Sequence, residues 1–91
     1  MHIVLSPLVE EKLKRIKKRD KKLFSKINKQ LLLFANNPKH PSLRIHKLTG
    51  KNEPVWSISI TMSIRMLYKI IGEDYYLMDI GTHEEVYKRK N

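Results

Sequence analysis

Apolar residues along this chain keep a helical rhythm up to about Pro41 and a strand rhythm after it. His2 to Leu5 is a short apolar run that predicts a strand. Ser6-Pro7 follows, a side-chain oxygen able to cap a helix and a proline suited to its first position. Val9, Leu13 and Ile16 recur at helical spacing with lysines and arginines between them. Phe24, Ile27, Leu31 and Phe34 repeat the pattern, and Asn36-Asn37-Pro38 ends it. Asp20 falls where the stripe is interrupted. A small chain buries two short stripes more easily than one long one, so a break near Arg19–Lys21 predicts a helical hairpin.

After Pro41 the period changes. Leu43 to Leu48 is a strand candidate closed by Thr49-Gly50. Val55 to Ile60 alternates, with Trp56, Ile58 and Ile60 on one face and Ser57 and Ser59 on the other. Ile64 to Ile71 and Tyr75 to Ile80 supply two more strands around a Gly72-Glu73-Asp74 turn. With Thr61-Met62-Ser63 as the loop, Ile60 faces Ile64, Ile58 faces Met66 and Trp56 faces Tyr68. The opposite face then pairs Ser59 with Arg65 and Ser57 with Leu67. A slip of one residue would break every apolar pair, which favours this register. Continuing through the next hairpin puts Tyr76, Met78 and Ile80 on the core face, and Leu77 and Asp79 beside Arg65 and Lys69. The expected class is α+β in the order β-α-α-β-β-β-β. A helical hairpin covers one face of a small, mainly antiparallel sheet, and a short helix ends the chain.

Length and composition narrow the function classes. Ninety-one residues predict one domain over residues 1–91, able to bury roughly 60–65 % of the surface its unfolded chain exposes. Cysteine is absent, which removes disulfides and thiolate chemistry. The apolar start is too short for a signal peptide and no stretch is long enough to span a bilayer, so a soluble, cytoplasmic protein without a membrane partner is expected. Nineteen Lys and Arg stand against nine Asp and Glu, a net charge of +10. Ten basic residues and the single acid Asp20 lie between Lys12 and Lys29, so that segment carries +9 and the rest of the chain +1. Charge concentrated in one element points to a polyanionic partner, with a solvated helix face as the plain alternative. Lys14, Lys18 and Lys22 are the expected phosphate contacts of the hairpin, and Arg44, Lys47 and Lys69 extend the nucleic-acid-binding set onto the strands.

Candidate chemistry gathers near the C-terminus. Thr82 and Glu85 form a capping-box pair, so a short helix should begin there and bring His83 and Tyr87 onto one side at i and i+4. The preceding strand carries this segment past Arg65. A guanidinium grips phosphate in a bidentate fork, an imidazole exchanges protons near neutral pH, and a tyrosine can stack on a base or reach a phosphate. Arg65, His83 and Tyr87 together suit phosphodiester cleavage in RNA, with the 2′-hydroxyl as nucleophile. Each has a plainer reading: an Arg65–Asp79 surface pair, a His83 without a task, a Tyr87 ring packed over the sheet edge. His46 could reach the same polar face or be an exposed strand residue, and His40 reads as a loop residue. The histidines at 2, 40, 46 and 83 lack metal-ligand spacing, and no phosphate-binding glycine loop or nucleophile elbow is present, so no metal or cofactor is expected.

Four segments in this order resemble the RelE/ParE toxin superfamily: Pro41-Ser42-Leu43-Arg44-Ile45-His46-Lys47-Leu48-Thr49-Gly50, Trp56-Ser57, Ile64-Arg65-Met66-Leu67-Tyr68-Lys69-Ile70, and Ile80-Gly81-Thr82-His83-Glu84-Glu85-Val86-Tyr87. The resemblance covers almost the whole chain, including the basic hairpin. It implies the toxin of a type II toxin–antitoxin pair, neutralised by a cognate antitoxin and able to meet operator DNA through that complex. In the RelE-like branch it implies a ribosome-dependent endoribonuclease that cuts messenger RNA without metal. By position, Arg65 resembles the phosphate-stabilising arginine, His83 the acid/base histidine, Tyr87 the aromatic residue after it and His46 the second-strand histidine. That branch carries a further histidine and an aspartate where this chain has Ser59 and Ser63. ParE-like relatives share the fold and poison DNA gyrase instead, and an inert RNA-binding relative is a third possibility. The histidines favour the nuclease, because gyrase poisoning needs no proton-transfer pair.

Overall fold

The computed structural model describes residues 2–48 and 53–88. Strand β1 (His2–Leu5) leads into α1 (Pro7–Arg19), whose N-cap Ser6 accepts from the Val9 amide with Pro7 in the first turn. Asp20 serves two helices at once. Its amide donates to the Ile16 carbonyl and closes α1, and its carboxylate accepts from the Leu23 amide at 3.0 Å to open α2 (Lys21–Asn36). The hairpin therefore breaks where the apolar stripe breaks.

The next element differs from the sequence expectation. Pro41–Leu43 is a turn of 3-10 helix, capped by His40 Nδ1, which accepts from the Ser42 amide. Proline is preset for such a turn, and Leu43 is driven wholly into the core. The strand expected from Leu43 shrinks to β2 (His46–Leu48), and its expected Thr49-Gly50 closure lies outside the described residues. Strands β3 (Val55–Ser59), β4 (Ile64–Ile71) and β5 (Asp74–Thr82) follow, and α3 (His83–Lys88) comes last.

The sheet order is β1-β5-β4-β3-β2, with β1 parallel to β5 and the other neighbours antiparallel. Between β3 and β4 the register is the one the alternation predicts: Trp56 opposite Tyr68, Ser57 opposite Leu67, Ile58 opposite Met66, Ser59 opposite Arg65. Between β4 and β5 it slips. Leu67 faces Asp79 while Tyr68 faces Leu77, which leaves Met78 as an extra residue in a bulge. Tyr75 and Leu77 consequently join the helix-facing core, and Met78 packs on the other side. The expected placement of Tyr76 and Met78 in the core and Leu77 outside it is thus reversed. Asp79 is also not the partner of Arg65. It is buried, and its carboxylate takes the Lys12 ammonium at 2.6 Å. Ser6 anchors the bulge, its amide donating to the Leu77 carbonyl and its hydroxyl to that of Met78.

Two cores flank the sheet. On the helix side Phe34 sits among Tyr68 and Tyr75, with ring centroids 4.9 and 4.5 Å away, over Ile27, Ile58, Met66, Leu77 and Ile80. Burial there, with a smaller push from Tyr75, raises the Tyr68 phenol to about 12. On the opposite side Val55, Leu67 and Val86 form a smaller cluster with Leu48, Met78 and Tyr87. Val86 fastens α3 to that second face. No described helix is long and apolar enough to cross a membrane.

Candidate active site

Alternation on β4 turns Arg65 to the face opposite Met66, away from the helices. There its guanidinium is held at two points: Nε donates to the Ser57 hydroxyl in a short bond, and one terminal nitrogen donates to the Arg44 carbonyl at 2.9 Å. Arg44 presents that carbonyl from a left-handed backbone, φ 44°. Among the described residues no carboxylate pairs with Arg65. A guanidinium has five N–H donors, and two are used here; three remain for a ligand.

The capping box is formed as the sequence predicts. The Thr82 amide donates to Glu85 Oε1 at 2.8 Å, and the Glu85 amide to Thr82 Oγ1 at 3.2 Å. These bonds open α3 immediately at His83, and one turn later the Tyr87 ring meets the His83 ring edge-on with centroids 3.9 Å apart. The Tyr87 hydroxyl donates to Ser57 Oγ at 3.3 Å. On the far side β2 sets His46 directly opposite Ser57. His46, Lys47, Leu48, Arg65, His83 and Tyr87 line one open cleft of about 410 Å³. All four residues nominated for chemistry therefore share one concavity. It combines a clamped, unpaired guanidinium, two imidazoles and a phenol, a set able to bind a phosphodiester and move protons around it.

The nominated basic residues are divided. Lys47 lines the cleft, with its ammonium 5.9 Å from the Trp56 ring. Arg44 contributes its carbonyl from the rim, its side chain exposed. Lys69 lies outside the cleft lining and pairs with Glu53 at 3.2 Å. Lys14, Lys18 and Lys22 are exposed on the helical layer, across the sheet from the cleft. Ser59 and Ser63 serve the β3–β4 turn: Ser59 Oγ donates to the Thr61 carbonyl, and the Ser63 amide to Thr61 Oγ1. Ser57 was not nominated from sequence, yet it touches both Arg65 and Tyr87. Its signal was present in the alternation, which puts it on the Arg65 face two residues from Ser59.

Solved structures share this fold. A YoeB/ParE toxin from Agrobacterium tumefaciens superposes with a TM-score of 0.77 at 20% identity, covering 91% of this chain and 99% of that one. The YoeB–YefM complex from Staphylococcus aureus gives 0.74 at 23% identity, with 91% and 97% covered. The DinJ–YafQ complex from E. coli gives 0.76 at 20% identity, with 93% and 96% covered. No curated protein matches the chain. The architecture is that of the RelE/ParE superfamily of small toxins. The model of the ParE toxin of type II toxin–antitoxin systems matches residues 3–87, and the chain belongs to that family.

Proposed function

We propose that this toxin is a metal-independent endoribonuclease that cuts messenger RNA on the ribosome. The observation that carries this reading is the convergence of His46, Arg65, His83 and Tyr87 on one cleft. In the reaction the 2′-oxygen of the substrate bonds to phosphorus and the bond to the 5′-oxygen breaks. His46 takes the 2′-hydroxyl proton, and His83 gives one to the leaving oxygen. Arg65 offers its three remaining N–H groups to the phosphoryl oxygens as charge builds on them. Tyr87 holds the His83 ring edge-on and presents an aromatic face to a base. With the Ser59 hydroxyl donating to the Thr61 carbonyl, the two histidines serve as the proton-transfer pair.

The partner that silences it is an antitoxin, as YefM and DinJ accompany the related toxins in their complexes. A chain of net charge +10 suits an acidic segment that folds on binding. A second reading, gyrase poisoning, draws on the ParE model that matches the chain. Expression without antitoxin separates the two. Message ends inside ribosome-protected codons support the nuclease; intact messages with accumulating gyrase–DNA breaks assign the protein to gyrase.

A further inference from the structure

We infer that Ser57 is the positioning residue of the cleft, a single buried hydroxyl that holds Arg65 and Tyr87 in one geometry. This rests on the nuclease reading for its functional consequence and on the contacts alone for its structural one. Ser57 is wholly shielded from solvent on β3, with His46 its register partner on β2 and Leu67 on β4. Its oxygen accepts from Arg65 Nε and from the Tyr87 hydroxyl. It therefore sits among all the residues proposed for chemistry: beside one in the sheet, bonded to two, and one helical turn from His83 through Tyr87.

A hydroxyl offers two lone pairs, and Arg65 and Tyr87 occupy both. The pairing is reciprocal, because a buried hydroxyl needs partners as much as a guanidinium needs fixing. Nε and one terminal nitrogen lie along one edge of the guanidinium plane. Bonds from that edge to Ser57 and to the Arg44 carbonyl leave the three N–H groups at the end of the fork for a ligand in the cleft that Arg65 lines. Without Ser57 the fork keeps, among the described residues, the Arg44 carbonyl alone and turns about it. Arg65 and Tyr87 come from different elements, β4 and α3, so losing their shared acceptor uncouples the sheet side of the site from the helix side.

Ser57→Ala tests this through two readouts on the free toxin and on ribosomes. In the wild type, NMR should show the Arg65 Nε–H protected from exchange, and in Ser57→Ala that protection should vanish while the thermal melt stays cooperative. Single-turnover cleavage at saturating ribosome should fall about ten- to a hundredfold, the range a displaced catalytic group produces, with ribosome binding within about twofold. In an Arg65→Ala background the same change should add little. A wild-type Arg65 Nε–H that exchanges like a free arginine overturns the inference without any variant. So does Ser57→Ala cleaving at the wild-type rate. If the wild type cuts no message, the nuclease reading fails, and the exchange data alone decide whether Ser57 holds Arg65.

Discussion

At Arg44 the backbone takes φ 44°, a left-handed conformation that costs a residue with a Cβ about 1–2 kcal/mol. What the turn yields is a carbonyl aimed at Arg65. Replacing Arg44 by glycine keeps the carbonyl and removes the steric cost, so stability should match or slightly exceed that of the wild type in a thermal melt. Arg44→Val, β-branched, should melt lower by the equivalent of about 1–2 kcal/mol. Equal melts for the two variants would show that the turn carries no strain. Tyr68 supplies a pH test. Its folded value of about 12 stands above the ordinary 10.0, so the fold favours the neutral phenol. That contribution is complete below pH 10 and is lost as pH rises from about 10 to about 12. Tyr68→Phe should lose less stability than the wild type over that window in denaturant titrations, and parallel losses would remove Tyr68 from the account.

Elements with their own local chemistry were legible in the sequence. Asp20 announced the hairpin break, Thr82 and Glu85 announced α3, and the serine–apolar alternation of Val55–Ile60 set the β3–β4 register. Two features were not. The bulge at Met78 is invisible to a period of two, because nothing in Tyr75–Ile80 marks an inserted residue; its contacts to Ser6 and Lys12 come from about seventy positions earlier. The end of the Pro41–Leu43 turn was masked by the alternation Leu43-Arg44-Ile45-His46, which reads as strand. Lys12 makes the bulge testable. It binds Asp79 with side-chain exposures of 19% and 6%, so Lys12→Met takes the Lys12 ammonium from a buried carboxylate and should cost about 3–5 kcal/mol in chemical denaturation. A change below about 1 kcal/mol would mean that Asp79 finds water instead. Six residues are too few for a helix to stand alone, so α3 depends on Val86. Val86→Ala should cost about 2 kcal/mol and speed amide exchange in α3 before the rest of the fold. Uniform acceleration would show that α3 does not open by itself.

The sheet divides the molecule into a basic helical layer and a face that carries the cleft. Binding and chemistry should therefore separate by mutation. Lys14, Lys18 and Lys22 changed together to glutamate should weaken ribosome binding and flatten its dependence on salt, because fewer counterions are released. Turnover at saturating ribosome should hardly change. Changes in the cleft should do the opposite. The most direct measurement is single-turnover message cleavage on translating ribosomes by purified wild type, Arg65→Ala and His83→Ala. The expected result is site-specific cutting by the wild type and a loss of about a hundredfold or more in each variant, with binding nearly intact. Cleavage by both variants at the wild-type rate would contradict the proposed site, and intact message with the wild type would contradict the nuclease itself.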